Sequence, residues 1–475
     1  MTALSDQLLL GATALDVLAA GHATTKGILA RQQARLASLL YTLAHGSSLY
    51  AHHLRDYLDP SVQLRSLPVI GKAELMQRFD EWVTDPDITL DGLRAFTANP
   101  ECIGEPYLGR YVVWESSGSS GQPAIFVQDA HCMAINDALE SLRRKPYAPG
   151  AGDRAEKSDG QNLSDRIAFV GVTTGHFASM VQMHRLQTLY PWSVQALCNI
   201  SILQPMDSVV RALNSFEPTL VATYPSVAIA LAALQEAGDL HIAPHAVWTG
   251  GENFSAAARA RVAAVMHCAV TNHYGASEFL NIASECSSGH LHANTDWLIL
   301  EPVDEKHRPV PPGHASATTL LTHLGNRVQP ILRYDLGDQI TVSSKPCVCG
   351  SPFPVIAVSG RNDSALQMHG SNGKPVTLLP LALTTVLEEQ AGLYEFQLHQ
   401  RDAQTLELQL PQTGIAADVA VARGAQALQD FALLQGVAAL KIITRTGVAL
   451  KRGKSGKVPR VIAAESNDFR ARVST

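Results

Sequence analysis

The chain has 475 residues, of which 46% are hydrophobic and 17% charged, so it is not a largely disordered protein, and its length allows about three domains. A formal net charge of −6 argues against a nucleic-acid-binding protein, and the longest apolar runs are too short and too interrupted for a transmembrane helix. The N-terminus lacks the basic segment of a signal peptide, and seven cysteines are too few for a disulfide framework. These features predict a cytoplasmic protein that binds neither nucleic acid nor membranes.

The predicted elements change in character along the chain. The first hundred residues show apolar side chains at helical spacing, as from Ile28 to Leu43. From Ile167, short runs rich in β-branched residues alternate with helical stretches, which predicts a parallel sheet with crossover helices. The segment 146–164 is rich in Gly, Pro, Asp and Ser and predicts a surface loop. The sequence therefore predicts an α/β fold.

The chain after Gly360 has a different pattern. It predicts a helix near 379–390, strands near 394–400 and 405–410, then a second helix and a last strand near 439–445. Such a segment of about 115 residues is large enough to hold a core of its own. We therefore expect two domains, an N-terminal one over 1–360 and a smaller α+β one over 361–475.

A loop of small residues stands between two predicted strands in Val113–Val127. Its glycines permit tight turns, and its backbone N–H groups and hydroxyls can hold phosphate oxygens. No Gly-Lys-Ser/Thr closes the loop as in a Walker motif, and the Gly-x-Ser-x-Gly elbow of serine hydrolases is absent. A flexible Ser/Gly linker is the alternative. The loop residues are Ser116, Ser117, Gly118, Ser119, Ser120 and Gly121.

Five further segments follow in order, and each alone has a plain explanation as a turn, a solvated charge or a solvated tail. They are Trp248–Glu252, His273–Glu278, Leu332–Asp338, Ser359–Asp363 and the basic, Gly-containing Lys451–Arg460.

Taken in this order, the segments resemble the adenylate-forming ligases, specifically the phenylacetate–CoA ligase branch. The resemblance begins at Leu67–Leu75, which is similar to the branch's LPxxxKxxL segment, and ends at Lys457–Val461, so it covers most of the chain. It implies a large N-terminal adenylate-forming domain with mixed sheets and helices, and a small mobile α+β C-terminal domain. It also implies ATP-dependent activation of a carboxylic acid to an acyl-adenylate with pyrophosphate release, then transfer to the thiol of coenzyme A.

The resemblance also implies a nucleotide site. The loop Ser116–Gly121 holds the β- and γ-phosphates, Gly250, Gly251 and Glu252 line the adenine pocket, and Tyr274 stacks near the base beside Gly275. Asp338 accepts hydrogen bonds from the ribose hydroxyls, with Arg361 nearby.

The two catalytic residues that the resemblance implies are Lys457 and Glu278. Lys457 reaches the acyl carboxylate and the α-phosphate, where negative charge must be neutralised. Glu278 binds Mg²⁺, a hard cation that prefers carboxylate and phosphate oxygens. Asp363 is the expected hinge of the mobile domain.

Three positions depart from the family pattern: Gln122 stands where the phosphate loop usually carries lysine, Leu336 where threonine is common, and Ser364 where a second aspartate is common. Gln122 removes one cationic phosphate contact and favours the alternative of a catalytically silent nucleotide- or metal-binding protein. The presence of Glu278, Asp338 and Lys457 argues against that alternative.

Several cysteines indicate a metal. Cys347 and Cys349 form a C-x-C pair, and Cys286 precedes His290 and His292. Three thiolates and one imidazole suit a tetrahedral structural zinc site, although reduced, buried cysteines are the alternative. Some members of the branch carry a similar cysteine, Leu-His and C-x-C, which favours zinc and favours His292 over His290 as the ligand.

The acyl substrate is expected to be bound between the phosphate loop and the Gly-Gly-Glu segment, where the candidates are Thr174, His176, Tyr224, Pro225 and Trp248. Tyr224-Pro225 as a helix entry and His176 as a core histidine are the alternatives. The resemblance implies an aryl or arylacetic acid, and a fatty acid stays open. Transfer to the phosphopantetheine of an acyl-carrier protein instead of free coenzyme A stays open as well, as does a homodimer.

Overall fold

The computed structural model describes residues 3–54, 64–116, 123–144, 165–359, 365–451 and 458–464. The predicted loop 146–164 lies outside the described residues.

Helices dominate the N-terminal part, as predicted. The elements are α1 (Ala3–Gly21), α2 (Thr25–Gly46), α3 (Ser48–Leu54), α4 (Lys72–Gln77), α5 (Phe79–Trp82), α6 (Leu90–Thr97), β1 (Val112–Glu115), β2 (Ile125–Gln128) and α7 (Ala130–Arg143). Helix α2 begins where the Thr24 side chain accepts a hydrogen bond from the amide of Gly27. Strands β1 and β2 pair antiparallel, so the Ser/Gly loop connects the two strands of a hairpin.

The central feature is a nine-stranded mixed sheet with strand order β13-β14-β9-β8-β7-β6-β5-β3-β4. Its strands are β3 (Ile167–Gly171), β4 (Leu197–Ser201), β5 (Leu220–Thr223), β6 (Ala246–Gly250), β7 (Ala269–Ala276), β8 (Phe279–Glu285), β9 (Leu291–Ala293), β13 (Gln339–Val342) and β14 (Val355–Ser359). The intervening helices are α8 (Ala178–Leu189), α9 (Met206–Phe216), α10 (Pro225–Ala237) and α11 (Ala256–Met266).

The two halves of this sheet differ in strand direction. Strands β4, β3, β5, β6 and β7 are parallel, which confirms the predicted parallel sheet with crossover helices. Strands β7, β8, β9, β14 and β13 pair antiparallel. In an open α/β sheet, ligands bind beyond the carboxyl ends of the parallel strands. Here those ends are followed by Val172, Ile202, Tyr224, Gly251 and Ser277.

A separate three-stranded antiparallel sheet consists of β10 (Leu298–Val303), β11 (Thr318–His323) and β12 (Tyr334–Asp335). Its last strand ends three residues before Asp338, which directly precedes β13. Through this short connection, Tyr334 and Asp338 lie close to the start of β13 in the nine-stranded sheet.

Beyond residue 365, the elements form two sheets and two helices. They are β15 (Leu366–His369), β16 (Pro375–Leu378), α12 (Pro380–Ala391), β17 (Gln397–Gln400), β18 (Thr405–Gln409), α13 (Ile415–Leu434), β19 (Lys441–Arg445) and β20 (Val461–Ile462). Strands β15 and β16 form a hairpin, and the others form a sheet of order β19-β18-β17-β20. The expected helices and strands are present, whereas the β15–β16 hairpin and β20 were not expected.

The division at residue 360 stays a prediction. Among the described residues, named strands pair only with strands on their own side of it. One cluster of buried side chains nevertheless contains Val221 and Val270 together with Leu383 and Leu398, so the two parts share apolar packing in this arrangement. Within the described parts of the chain, no helix combines the length and apolar character needed to cross a bilayer.

Candidate functional site

A large cavity of about 1500 Å³ opens at the carboxyl ends of the parallel strands. Residues beyond position 365 form part of its wall, among them Glu388, Tyr394 and Arg460. The residues predicted for the site that line this cavity are Ser116, Tyr224, Trp248, Gly250, Gly251, Gly275, Glu278 and Asp338. The fold thus brings together residues that are more than two hundred positions apart in the sequence.

Two of these glycines are required by close contacts. A Cβ atom at Gly275 would lie 1.9 Å from the carbonyl oxygen of Leu280, where the pairing of β7 with β8 is interrupted by a bulge. A Cβ atom at Gly250 would lie 2.6 Å from Cε1 of His273 on the neighbouring strand. Neither position accommodates a side chain, so backbone forms the cavity wall at both.

Glu278 lies in the turn between β7 and β8, with its carboxylate at the cavity. The hydroxyl of Tyr334 donates a 2.7 Å hydrogen bond to Glu278 Oε1. Burial raises the pKa of Glu278, while Tyr334 and the positive charge of Lys72 oppose the rise. A buried carboxylate in this setting has a strong tendency to acquire a cation, which suits the role of a magnesium ligand.

Lys72 is a cavity residue that the sequence analysis did not name as a site residue. Its Nζ donates a 3.2 Å hydrogen bond to Oγ of Ser116, the first residue of the Ser/Gly loop. Burial lowers the pKa of Lys72, and the carboxylates of Glu278 and Glu388 oppose the shift. The segment Leu67–Leu75 signalled the family, but no local pattern shows that Lys72 meets residues 44 and 206 positions away.

Asp338 lines the cavity and accepts a 2.7 Å hydrogen bond from the hydroxyl of Tyr274. Burial and the charge of Asp338 raise the pKa of Tyr274, so this phenol stays a donor. The bond fixes the orientation of the Asp338 carboxylate at the cavity. Tyr274 itself does not line the cavity, and its stacking against adenine stays a prediction.

Four other predicted residues lie away from the cavity wall. The carboxylate of Glu252 accepts hydrogen bonds from the amide of Ser226, at 2.8 Å, and from its hydroxyl, at 3.0 Å. It therefore caps helix α10, whose first residue is the buried Pro225, as a helix entry requires.

Thr174 and His176 also lie away from the cavity wall. The hydroxyl of Thr174 donates a 2.8 Å hydrogen bond to Glu389 Oε1 on α12. The side chain of His176 is 1% exposed, with its ring centroid 5.5 Å from that of Phe96, and burial lowers its pKa. His176 is a core histidine in this arrangement, and the acyl-pocket role that we predicted for Thr174, His176 and Pro225 has no support from their positions.

The remaining predicted residues lie outside the described part of the chain. They are Ser117, Gly118, Ser119, Ser120 and Gly121 of the loop, the departures Gln122 and Ser364, and Arg361, Asp363 and Lys457.

The described chain just after Lys457 is joined to α12 by a buried ion pair. Arg460 Nη2 lies 2.7 Å from Glu388 Oε1, and the two side chains are 6% and 7% exposed. The guanidinium of Arg460 also lies 4.6 Å from the ring centroid of Phe396. Removal of either partner would leave a buried charge uncompensated, so the pair holds the segment after Lys457 next to α12 in this arrangement.

One wall of the cavity is formed by Trp248, His273 and Arg144. The guanidinium carbon of Arg144 lies 4.5 Å from the ring centroid of Trp248. Burial and the positive charge of Arg144 lower the pKa of His273 to about 3, so His273 is neutral at physiological pH. A second, apolar part of the wall is formed by Phe169, Met183 and Leu186.

The predicted metal ligands form a separate cluster. The ligand atoms of Cys286, His292, Cys347 and Cys349 all lie within 4.8 Å of one another. The sulfurs of Cys286 and Cys347 are 3.9 Å apart, close to the spacing of about 3.8 Å expected for two thiolates on a tetrahedral zinc. His292 Nδ1 donates to the carbonyl of Phe353 at 2.8 Å, which leaves Nε2 facing Cys349 Sγ at 3.4 Å. The donor set and its spacing fit zinc.

Comparison with known proteins rests on structure alone. No family model and no curated protein matches the sequence. A 2-hydroxyisobutyryl-CoA ligase in its thioesterification state superposes with a TM-score of 0.57 at 17% identity, covering 96% of this chain and 93% of that one. The postadenylation state of that enzyme gives a TM-score of 0.52 at 16% identity, covering 94% and 91% of the two chains. The chain therefore has the fold of the adenylate-forming superfamily.

Proposed function

We propose that the chain is an AMP-forming acid–thiol ligase. It activates a carboxylic acid with ATP and then transfers the acyl group to a thiol, that of coenzyme A or of a carrier protein's phosphopantetheine. The observation that carries the proposal is the meeting of Lys72, Glu278 and Asp338 in one cavity at the carboxyl ends of the parallel strands. A cation for phosphate, a carboxylate for a metal and a carboxylate for ribose are the groups that ATP requires.

ATP would be held by groups that differ in chemistry along its length. Backbone at Gly250 and Gly251 offers a flat surface for adenine, and Asp338, oriented by Tyr274, accepts hydrogen bonds from the ribose. The loop Ser116–Gly121 would bind the β- and γ-phosphates through its amides and hydroxyls. Lys72 beside Ser116 supplies a positive charge in the part of the site where Gln122 replaces the usual lysine. Bound at Glu278, Mg²⁺ would neutralise phosphate charge.

In the first half-reaction, a carboxylate oxygen of the acid attacks the α-phosphorus, and the bond to the pyrophosphate oxygen breaks. The products are an acyl-adenylate and pyrophosphate. Lys457 would neutralise the charge that accumulates between the carboxylate and the α-phosphate, which is the role the resemblance gives it.

In the second half-reaction, a thiolate attacks the acyl carbon, and the bond to the AMP oxygen breaks. The thioester and AMP leave, with the sulfur proton lost to solvent or to a base. Lys457 and the thiol need the same approach to the acyl group, so we propose that the part after Gly360 rotates between the two steps, with Asp363 as the pivot.

The acid that we propose is an aryl or arylacetic acid. The family resemblance favours it, and the apolar cavity wall at Phe169, Met183 and Leu186 supports a hydrophobic acyl group. The same wall also suits a fatty acyl chain, so acids of both kinds belong in the test. Both acceptor molecules end in the same thiol, and the experiment separates them by using each in turn.

We also propose that Cys286, His292, Cys347 and Cys349 bind a structural zinc ion. The site is closed, with four protein ligands and no position left for substrate, which is the pattern of structural zinc. Zinc there would join the loop after β8 to the loop between β13 and β14.

The test of the ligase is ATP–pyrophosphate exchange with a panel of benzoic, phenylacetic, cinnamic and straight-chain fatty acids. We expect exchange with at least one acid, and its loss in Glu278→Gln. Glu305→Gln, which changes an exposed glutamate in a turn, is the matched control and should leave exchange unchanged. ATP binding without exchange for any acid would favour the catalytically silent alternative and contradict the proposal.

A further inference from the structure

Arg144 stands just after α7, and its side chain lines the cavity although it is only 11% exposed. Its Nη2 lies 3.1 Å from Glu140 Oε1, one helical turn earlier, and its guanidinium lies over the ring of Trp248. An arginine has five N–H donors. Among the described residues, Arg144 makes polar contacts with Glu140 and the ring of His273, and its side chain lines the cavity.

His273 faces the same space, and its tautomer follows from its contacts. Its Nδ1 lies 3.1 Å from the carbonyl oxygen of Thr249. Because a carbonyl can only accept, Nδ1 carries the proton and donates it. Nδ1 therefore does not accept from Arg144 Nη2, which lies 3.5 Å away. The other nitrogen, Nε2, has a free lone pair and contacts no donor in the described part of the chain.

The result is an unused donor and an unused acceptor on one wall of the cavity. Water can reach these groups in the open cavity, and a ligand that displaces it leaves them unpaired at a cost unless it satisfies both, so a ligand that does so is favoured. Arg144 contacts Trp248, His273 packs beside Gly250 on the neighbouring strand, and all four residues line the cavity.

We propose that Arg144 and His273 recognise a hydroxyl group on the acid, so that the substrate of this ligase is a hydroxylated carboxylic acid. The hydroxyl oxygen accepts a hydrogen bond from Arg144, and its hydrogen is donated to His273 Nε2. This inference rests on the proposed ligase function and adds the substrate's second recognition group to it.

Other polar groups fit this wall less well. A second carboxylate has no proton for Nε2, and Glu140 already balances the charge of Arg144. An ammonium group is repelled by the guanidinium. A keto or nitro oxygen satisfies Arg144 but leaves Nε2 unpaired. A hydroxyl is the common substituent that accepts and donates at one atom.

The experiment compares acids that differ only by a hydroxyl. Benzoic, phenylacetic and cinnamic acids are each paired with their meta- and para-hydroxy derivatives in ATP–pyrophosphate exchange. We expect at least one hydroxylated acid to exceed its parent by about 10- to 100-fold in kcat/KM, as for a hydrogen bond to a charged donor. Arg144→Met should reduce that ratio to about one, whereas Arg211→Met, a surface change on α9, should leave it unchanged.

The outcomes separate the two proposals. Equal kcat/KM for parents and hydroxylated acids in the unmodified enzyme overturns this inference and leaves the ligase standing. A preference that persists in Arg144→Met overturns the role of Arg144. Exchange with fatty acids alone overturns this inference and leaves the ligase standing, whereas exchange with no acid of either kind contradicts the ligase proposal, and this inference with it. The ratio of kcat/KM between a hydroxylated acid and its parent is measured in the unmodified enzyme. This measurement alone can overturn the inference, even where a variant folds poorly.

Discussion

The carboxylate of Glu278 is held in a place where ionisation is costly. Burial raises its pKa, and the Tyr334 hydroxyl and the charge of Lys72 offset that effect only in part. The unfolded chain solvates the same carboxylate freely. Ionised Glu278 therefore reduces the free energy of unfolding at neutral pH, which is the usual sign of a residue kept for function and not for stability.

The variant Glu278→Gln should separate the contribution of this carboxylate to activity from its cost in stability. The folded-state pKa lies above the unfolded one, so the cost is present above the folded pKa and disappears as the pH falls below the unfolded value. We expect the variant to lose adenylation by about 10²-fold or more. We also expect it to melt above the unmodified protein at pH 8, with the difference shrinking towards pH 4.

Melting curves of both proteins across this pH range, without nucleotide, check the stability effect. A variant that melts lower at pH 8, or one that keeps full exchange activity, contradicts the role given to Glu278.

Replacing Lys72 tests whether a residue outside the Ser/Gly loop supplies a positive charge to the phosphates. Lys72→Met keeps the aliphatic stem and removes the ammonium group beside Ser116. We expect kcat/KM for ATP in pyrophosphate exchange to fall by about tenfold or more, because a contact to developing phosphate charge is lost. Lys374→Met, at an exposed turn between β15 and β16, is the control. Equal values for the two variants would remove Lys72 from the nucleotide site.

At the scale of elements, the metal cluster and the nucleotide groups occupy opposite ends of the same strands. Cys286 follows the last residue of β8, and Glu278 precedes its first. Cys347 and Cys349 lie between β13 and β14, Asp338 directly precedes β13, and the predicted hinge follows β14. A zinc ion would therefore fix the register of the antiparallel half of the sheet, on which these site residues depend.

Replacing Cys347 and Cys349 together with serine should abolish metal binding. We expect about one zinc per chain in the unmodified protein by elemental analysis, and none in the variant. The melting temperature should fall by about 5 °C or more, since zinc binds the folded state. The control variant Cys102→Ser, which is remote from the cluster, should keep both the bound zinc and the melting temperature of the unmodified protein. Protein purified without chelator that contains no stoichiometric zinc contradicts the site.

The elements show where sequence reasoning succeeds. The parallel strands were predictable because short β-branched runs alternate with amphipathic helices, and α12, α13 and β17–β19 follow the same logic. The β15–β16 hairpin escaped prediction because its strands are four residues each and β16 begins with proline. Strand β20, with two residues, carries no periodicity at all.

The site was predictable only in part, because only some of its residues lie in short recognisable motifs. Family motifs identified Glu278, Asp338 and the glycines, since these lie in short segments with recognisable order. Thr174, His176 and Pro225 were chosen by their position in the chain, and the fold directs them to α12, the core and a helix start. Lys72 and Arg144 meet the other cavity residues through contacts between distant segments, which no local pattern encodes. His273 stands in a recognised segment, but its contact with Arg144 likewise depends on the fold.

At the scale of the whole molecule, the part after residue 365 covers the cavity and is held by specific contacts. Thr174 donates to Glu389, and the Gln435 side chain donates to the carbonyl of Leu203 at 3.0 Å. These contacts cross the predicted domain boundary. The rotation that we propose between the half-reactions would have to break them.

Two variants test this alternation. Lys457→Ala should reduce adenylation by about 10²-fold or more, through loss of a transition-state charge contact, and affect thioester formation from synthetic acyl-adenylate much less. Asp363→Pro restricts the backbone at the pivot and should impair the second step more than the first. Each half-reaction is measured separately. Equal losses in both steps for both variants contradict alternation.

Oxygen labelling shows whether the acid is activated as an acyl-adenylate. The acid that supports exchange is labelled with ¹⁸O in its carboxyl group, and the products with ATP and coenzyme A are analysed by mass spectrometry. Attack on the α-phosphorus leaves one carboxyl oxygen on AMP when the thiol displaces it. We predict AMP that carries one ¹⁸O atom and pyrophosphate that carries none. Label in inorganic phosphate with release of ADP, or unlabelled AMP, would contradict the account.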